Sequence, residues 1–501
     1  MPSEFDSPDG PRDRRHEPET SSATAPRAAS GASASPALLT RLGLRFTAWA
    51  ERWFPDAFVF AAIAVAIVSV AAMINGAPAS VVARSFGQGF WSLIVFTMQM
   101  AFVVIGGYVV ATSAPAARLI SRLATLPRTG RHAIGWIAVV SMLLSLLNWG
   151  LSLVFSALYV RTLARRTELR MDYRAAGAAA YLGLGATWAL GLSSSAAQLQ
   201  ANPASLPDSI LSITGVIPFT QTIFLWQSLL MAGILILVST AIAALSSPAA
   251  DRSVTAEDLG VDLAEPAKVE PAHRQPGDRL EHSPVLTVLL AALAGGWLVQ
   301  EFTSKSPLIA ISNLNTYNLL FLTLGLLLHW RLRNFLDAVA RAVPATTGVL
   351  IQFPLYGSIA AILTSAHGAG GIALADRIAQ LFVSLSTTDT FAVVMGTYSA
   401  VLGLFIPSGG GKWIIEAPYV MQAAIELEFH LGWAVQIYNA AEALPNLINP
   451  FWMLPLLGIL ALKAKDIVGF TFLQLIAHVP LVLFMLWFLG RSLSYLPPVM
   501  P

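Results

Sequence analysis

Apolar runs about one bilayer thick recur along this chain, and two longer ones are broken at mid-length by polar, glycine-containing turns. A helix needs roughly 20 apolar residues to cross the hydrocarbon core. Runs near that length lie at residues 57–75, 88–112, 173–196, 221–247, 284–302, 316–330, 344–366, 431–462 and 467–490. The two broken runs are 132–164, interrupted at Asn148-Trp149-Gly150, and 389–425, interrupted at "IPSGGGKW". Each reads as two half-length helices meeting at a polar break.

Composition agrees with a membrane location. Of 501 residues, 55% are hydrophobic and 12% charged, whereas soluble domains carry about 25% charge. The mean hydropathy is +0.66. A net charge of +2 gives no long-range field for nucleic acid. The chain has no cysteine, which excludes disulfides, thiolate catalysis and Cys-ligated metals. The eight histidines form no cluster with acidic residues that would suggest a membrane enzyme.

Residues 1–36 are rich in Pro, Ser, Ala and charge and read as a disordered tail. They lack the apolar core of a signal peptide. A basic amphipathic stretch follows, "LLTRLGLRFTAWAERWF", and reads either as an interfacial helix or as a solvated helix packed on the protein. Residues 248–283 read as an exposed cytoplasmic linker, acidic and proline-rich over 255–282. They separate membrane repeat 1 (37–247) from a connecting helix (284–302) and membrane repeat 2 (303–501).

Flanking charge sets the orientation. Arg118, Arg122, Arg128 and Arg131 precede the first broken run, and Arg161, Arg165, Arg166, Arg170 and Arg174 follow it. Positive charge marks the cytoplasmic side, so 132–164 starts and ends inside and forms a re-entrant inner hairpin. Asp389 before the second broken run, with Glu426 and Glu428 after it, favours an outer hairpin over 389–425. The N-terminus then lies in the cytoplasm. Each half reads span, span, hairpin, span, span, and the connecting helix inverts the second copy. The expected fold is an all-α polytopic membrane protein of about nine transmembrane helices plus two re-entrant hairpins in an inverted repeat.

Backbone that leaves the helix inside a bilayer lines a cavity or is buried in protein, so the breaks are the candidate sites. There are four: Asn148-Trp149-Gly150 with Ser152; Ser193, Ser194 and Ser195 in the next run; Ser408, Gly409, Gly410, Gly411, Lys412 and Trp413; and Pro445, Asn446, Asn449 and Pro450. Freed amides at half-helix N-termini suit a carboxylate, and the three glycines let backbone approach a ligand closely. Freed carbonyls with Ser and Asn oxygens suit Na⁺ instead. The bland readings are close helix packing for the serines, interfacial anchoring for the tryptophans, and satisfaction of freed carbonyls for the asparagines. Lys412 either pairs with a substrate carboxylate or sits at an aqueous tip. Glu442 either carries a coupling proton or pairs with Lys412, and Glu416 is a third ionisable candidate. No cofactor is expected.

The run "SGGGKW" invites comparison with a phosphate loop. A Walker A loop needs glycine at the position of Ile406 and Ser or Thr at that of Trp413. The motif fails on both.

"FIPSGGGKWIIEAPYVM" resembles the signature of the AtoE-type short-chain fatty acid transporters. The resemblance continues through "RWFPDAFVFA", "LLNWGLSLVFSAL", "GVLIQFPLYGSI" and "NPFWMLPLLGI" and spans roughly residues 40–490. It implies a secondary carrier of acetoacetate- or butyrate-like monocarboxylates in the bacterial inner membrane. It also implies an elevator-type anion carrier of the ion-transporter superfamily, usually dimeric. Under it, Asn148, Trp149, Gly150, Ser193 to Ser195, Ser408 to Trp413, Asn446 and Asn449 form substrate and cation sites. Two departures stand out: "AQLQANPASLP" replaces an apolar segment after the serines, and the Ser-Asn-Thr tips of sodium-coupled relatives are missing. H⁺ coupling, Na⁺ coupling and facilitated diffusion all remain open, as does another small anion such as a dicarboxylate, or an anion channel.

Overall fold

The computed structural model describes residues 52, 57–264, 277–368, 370–404 and 406–499. The expected N-terminal tail and nearly all of the amphipathic stretch lie outside the described residues. Among the described residues the chain is helical, with no strand beyond one isolated bridge between Gly215 and Val499.

Among the described residues, sixteen of the twenty-two α-helices carry the apolar runs and their breaks. The first half holds α1 (Ala57–Ile74), α2 (Ala79–Ser92), α3 (Ile94–Ala111), α4 (Gly130–Leu147), α5 (Trp149–Ala164), α6 (Tyr173–Leu182), α7 (Ser195–Gln200) and α8 (Trp226–Ser246). After α9 (Pro284–Ser304), the second half holds α10 (Leu314–His329), α11 (Thr347–Ser365), α12 (Phe391–Gly403), α13 (Gly409–Glu426), α14 (Leu431–Asn446), α15 (Pro450–Leu460) and α16 (Ala464–Gly490). Among the described residues, seven helical segments have the length and composition to cross a membrane, including α3, α8, α9 and α16. Large side chains on the outer faces are bare, among them Ile67, Leu237, Leu245, Val285 and Leu293. Such an apolar surface suits lipid rather than water, and the chain is a multi-pass membrane protein.

Both broken runs double back. At Asn148 a single extended residue separates α4 from α5. The Ser152 hydroxyl then donates to the Ser141 carbonyl at 2.7 Å, bridging two residues that straddle the break. In the second pair, the Tyr398 and Tyr419 hydroxyls meet at 2.9 Å and Lys412 Nζ donates to the Ser399 carbonyl at 2.6 Å.

The halves also pack in matched fashion. α1 lies on α11 of the other half, and α3 lies on α10. Each second span packs on the return arm of its own helix pair, α3 on α5 and α11 on α13. The last spans, α8 and α16, cover the entry arms α4 and α12 and meet each other. Elements at corresponding places in the two halves thus make corresponding contacts.

Two boundaries differ from expectation for local reasons. The 88–112 run divides at Leu93, whose backbone (φ −103°, ψ 10°) ends α2 before α3 starts. The 431–462 run divides at Leu447–Asn449, whereas Pro445 is accommodated in the last turn of α14.

Part of the 248–283 stretch is docked rather than bare. The Tyr173 N–H donates to the Val254 carbonyl at 2.8 Å, and Val254 N–H to Asp172 Oδ2 at 3.1 Å. Arg161 donates to the Asp262 carbonyl at 2.8 Å, Arg165 to that of Leu263 at 2.8 Å, and Ala256 is buried. The run of arginines that signalled a cytoplasmic face therefore also grips this segment. The Thr255 N–H, 2.8 Å from Asp258 Oδ2, holds that carboxyl below its ordinary range.

Candidate functional site

The first tip is built by Asn148. Its Oδ1 accepts the Leu151 N–H at 2.9 Å, capping α5, while its Nδ2 donates to the Val103 carbonyl of α3 at 3.2 Å. An N-cap amide that also docks the tip on a neighbouring helix leaves little capacity for a ligand. Close approach here depends on Gly107 of α3, where a Cβ would lie 2.2 Å from Asn148 Oδ1. Nothing packs that tightly against Gly150. Trp149 meets Trp452 of α15 edge-on, with centroids 5.5 Å apart.

Ser408 plays the same part at the second tip. It is extended (φ −150°, ψ 103°), and its Oγ accepts the Gly411 N–H at 3.2 Å to cap α13. The three glycines that follow each face a different aromatic ring. A Cβ on Gly409 would lie 2.1 Å from the Trp188 ring edge, one on Gly410 would lie 3.0 Å from Phe96, and one on Gly411 would lie 1.9 Å from Tyr356. Phe96 belongs to α3 and Tyr356 to α11, the matched second spans of the two halves. Glycine is required here because ring carbons occupy the space a side chain would fill. Tyr438 donates to the Gly409 carbonyl at 2.6 Å, and Trp452 to the Pro407 carbonyl at 2.9 Å. Trp452 therefore contacts both tips.

The serine break follows a distorted stretch: a π turn over 183–187, a 3₁₀ turn over 188–190, then extended backbone at Gly191. Its departure from α-helix sets Trp188 against the second tip. Ser194 caps α7, accepting the Ala197 N–H at 3.1 Å and donating to Asn439 Oδ1 at 2.9 Å. Asn439 donates onward to Gln436 at 2.6 Å, and Gln436 to Ser228 at 2.8 Å, so a buried polar chain ties the two interrupted spans to α8. Ser195 lies against the tip, its Cβ 3.2 Å from where Gly410 would carry one. At the last break, the Asn446 carbonyl accepts the Tyr181 hydroxyl at 2.7 Å, and Asn449 is buried.

Lys412 points away from the tip into a fully buried charge cluster. Nζ lies 2.6 Å from Glu442 Oε2 and 3.4 Å from Glu416 Oε1, and it donates to the Ser399 carbonyl at 2.6 Å and hydroxyl at 2.9 Å. The Tyr438 ring covers it at 4.8 Å. All three charged side chains have no exposed surface. One ammonium thus faces two carboxyls, and Glu416 Oε2 and Glu442 Oε1 have no hydrogen-bond partner. Among the described residues, Lys412 is the only buried Lys or Arg.

Buried donors without acceptors lie in the same elements: the Trp188 and Trp413 indole N–H groups, with the Ser193 hydroxyl and the Asn446 Oδ1 also unpartnered. Each such group costs about 1–3 kcal/mol if left unmet, and those at the breaks suit a polar ligand held without a free cation. Among the described residues, no group of three His, Cys, Asp or Glu suits a metal ion.

The structure brings Gly410 together with Ser195, and Trp149 together with the second tip through Trp452. It sets Lys412 and Trp413 against α14, where Trp413 and Tyr438 have centroids 4.8 Å apart. Sequence reasoning passed over Trp188, Phe96, Tyr356, Tyr438, Trp452 and Gly107. Trp188 and Trp452 had a signal, each lying within a few residues of a break; the others had none.

A family model described as short chain fatty acid transporter matches residues 38–489. A protein of Escherichia coli (strain K12) is 33% identical over 442 residues, covering 88% of this chain and 97% of its own length. A Haemophilus influenzae protein is 29% identical over 460 residues, covering 90% and 100%. Both are named "Putative short-chain fatty acid transporter". Two solved structures share the fold. Neisseria gonorrhoeae MtrF, described with a class of antimetabolite efflux pumps, has a TM-score of 0.52 at 13% identity, covering 91% of this chain and 100% of its own. The Alcanivorax borkumensis YdaH transporter has a TM-score of 0.50 at 14% identity, covering 90% and 98%.

Proposed function

The chain belongs to the short-chain fatty acid transporter family, and we propose that it carries acetoacetate- or butyrate-like monocarboxylates across the bacterial inner membrane by alternating access. It is a transporter and not an enzyme. The observation that carries the substrate reading is the set of neutral, buried, unpartnered donors beside the second tip, Trp188 and Trp413 among them. Lys412, the buried cation, is already matched to Glu442 and Glu416. Neutral donors suffice for one carboxylate, whereas a dicarboxylate would bring a second charge with nothing to meet it.

In this reading the two helix pairs are re-entrant hairpins, and the bundle they form with the interrupted spans moves against α1, α3, α10 and α11. Coupling belongs to the charge cluster. Two carboxyls around one ammonium are neutral overall when one proton is added, which makes Glu442 with Glu416 the coupling candidate. Uptake of labelled butyrate and acetoacetate into proteoliposomes, with H⁺ and Na⁺ gradients imposed separately, tests both points. Saturable uptake driven by the H⁺ gradient alone is expected. Uptake of neither acid would overturn the substrate reading, and a response to Na⁺ alone would overturn the coupling.

Membrane orientation has a clean assay, because the chain contains no cysteine. Thr167→Cys, beyond the return arm of the first pair, is expected to label only from the cytoplasmic side. Glu426→Cys, at the end of the second pair, is expected to label only from outside. Labelling of both from one side would sink the inverted arrangement.

A further inference from the structure

The charged, hydroxyl and amide side chains of α13 are Lys412, Glu416, Tyr419, Gln422 and Glu426. Steps of three and four residues set them along one face of the helix, from the buried charge cluster to Glu426, which is exposed. Neighbouring elements match this stripe. The Tyr419 hydroxyl meets that of Tyr398 of α12 at 2.9 Å. Phe382 of the Leu374–Leu385 helix holds both rings, edge-on to Tyr398 at 5.0 Å and stacked on Tyr419 at 6.1 Å. One turn further out, Gln422 donates to Asp376 Oδ1 at 3.0 Å, and both residues are half-buried. Glu416 Oε2 and Gln422 Oε1 are buried without a hydrogen-bond partner.

We propose that Glu416, rather than Glu442, takes up and releases the coupling proton, and that the Tyr398–Tyr419 hydroxyl pair passes it there from the outer face. The proposal rests on the H⁺-coupled reading above, in which the Glu426 end of α13 faces outside. The two carboxyls are not equivalent. Lys412 Nζ is 2.6 Å from Glu442 but 3.4 Å from Glu416, whose Oε1 also accepts the Ser399 hydroxyl at 3.3 Å. The ammonium attracts the nearer carboxylate more strongly, so Glu442 keeps its charge and Glu416 is the one whose protonation changes. Glu416 is also the carboxyl on the polar stripe, with Tyr398 and Tyr419 within electrostatic range. Successive members of the stripe lie about 4.5–6 Å apart along the axis, within reach of one bridging water. A proton entering at Asp376 and Gln422 displaces each hydroxyl's own proton onward. Both tyrosines end unchanged, Glu416 gains one proton, and no electron moves. Other elements packed on α13 bring no rival carboxyl to Glu416. α14 brings Glu442 and Tyr438, and α11 brings Tyr356, which lies against Gly411. α7 has no ionisable residue, Asp208 of the Asp208–Thr214 helix is exposed, and Arg377 donates to Asn75.

The test measures labelled acetoacetate entering proteoliposomes, above protein-free liposomes, in two modes. One is net uptake driven by acid outside; the other is exchange against unlabelled acetoacetate at equal pH, which needs no net passage of protons. Glu416→Gln is expected to lower net uptake about 100-fold more than exchange, as for loss of a positioned proton-transfer group. Glu416→Asp keeps a carboxyl and should recover part of the net uptake. Tyr398→Phe with Tyr419→Phe keeps both rings and is expected to lower net uptake about tenfold relative to exchange, less than loss of the acceptor itself. It should also flatten the dependence on outer pH. Glu442→Gln removes the nearer partner of Lys412 and is expected to reduce both modes alike. Equal loss of both modes in Glu416→Gln, or a split confined to Glu442→Gln, would overturn the Glu416 assignment. A tyrosine double variant with the wild-type ratio and pH profile, or with equal loss of both modes, would overturn the relay, and it decides the route even where Glu416→Gln does not fold. Wild-type exchange with net uptake indifferent to the pH gradient would overturn H⁺ coupling and this proposal together, while leaving transport of the acid intact.

Discussion

Lys412→Met is expected to destabilise the folded protein by about 3–5 kcal/mol and to abolish uptake. Adding Glu442→Gln is expected to return much of the stability and none of the transport. The physical reason is the difference between removing a buried ion pair and breaking one. Lys412 has no exposed surface, and its contacts with Ser399, Glu416 and Glu442 join α12, α13 and α14 at one point. Without it, two carboxyls face each other where neither water nor lipid can solvate them. The paired change removes one of those charges, so most of the electrostatic cost disappears. Thermal unfolding in detergent reads the first effect, and proteoliposome uptake reads the second. A double variant that regained wild-type uptake would make the cluster a structural rivet. An unshifted unfolding midpoint for Lys412→Met would contradict its burial.

Gly411→Ala carries the other large effect. The added carbon would sit 1.9 Å from a Tyr356 ring carbon, well inside contact distance, and Tyr356 is itself buried at 1% exposure. The ring cannot yield cheaply in a packed interior, so the tip cannot seat, and uptake is expected to fall more than tenfold. Gly409→Ala should behave similarly, since its carbon would lie 2.1 Å from Trp188. Gly410→Ala, at 3.0 Å from Phe96, should be milder. Adding Tyr356→Leu to Gly411→Ala provides room and is expected to restore part of the flux. That rescue separates two uses of the same glycines. If their purpose were backbone contact with substrate alone, relieving the ring would restore nothing.

This second case shows where sequence reasoning reached its limit. The tripeptide Gly409-Gly410-Gly411 stood out because it interrupts an apolar run, and the inference of close approach followed from the missing Cβ. What approaches is set by α3, α11 and the 188–190 turn, which lie tens to hundreds of residues away. Lys412 followed the same pattern. Its burial and its partner at Glu442 were among the open alternatives, but nothing local chose between them. Gly107 and Tyr356 were invisible, because neither sits at a break nor departs from its apolar surroundings.

The all-helical, multi-span character of the chain and the positions of the breaks at Asn148, at Ser193 to Ser195 and at Ser408 were determined by the sequence. They follow from local properties, namely the length of apolar runs and the polarity of the breaks, which act within one helix. Only the tertiary structure decided that the second tip docks on Trp188, Phe96 and Tyr356, and that Lys412 turns inward to two carboxyls. It also decided that Trp452 joins the tips. Those outcomes depend on side-chain shape and burial across long separations, where each candidate partner is satisfied by many neighbours until packing selects one.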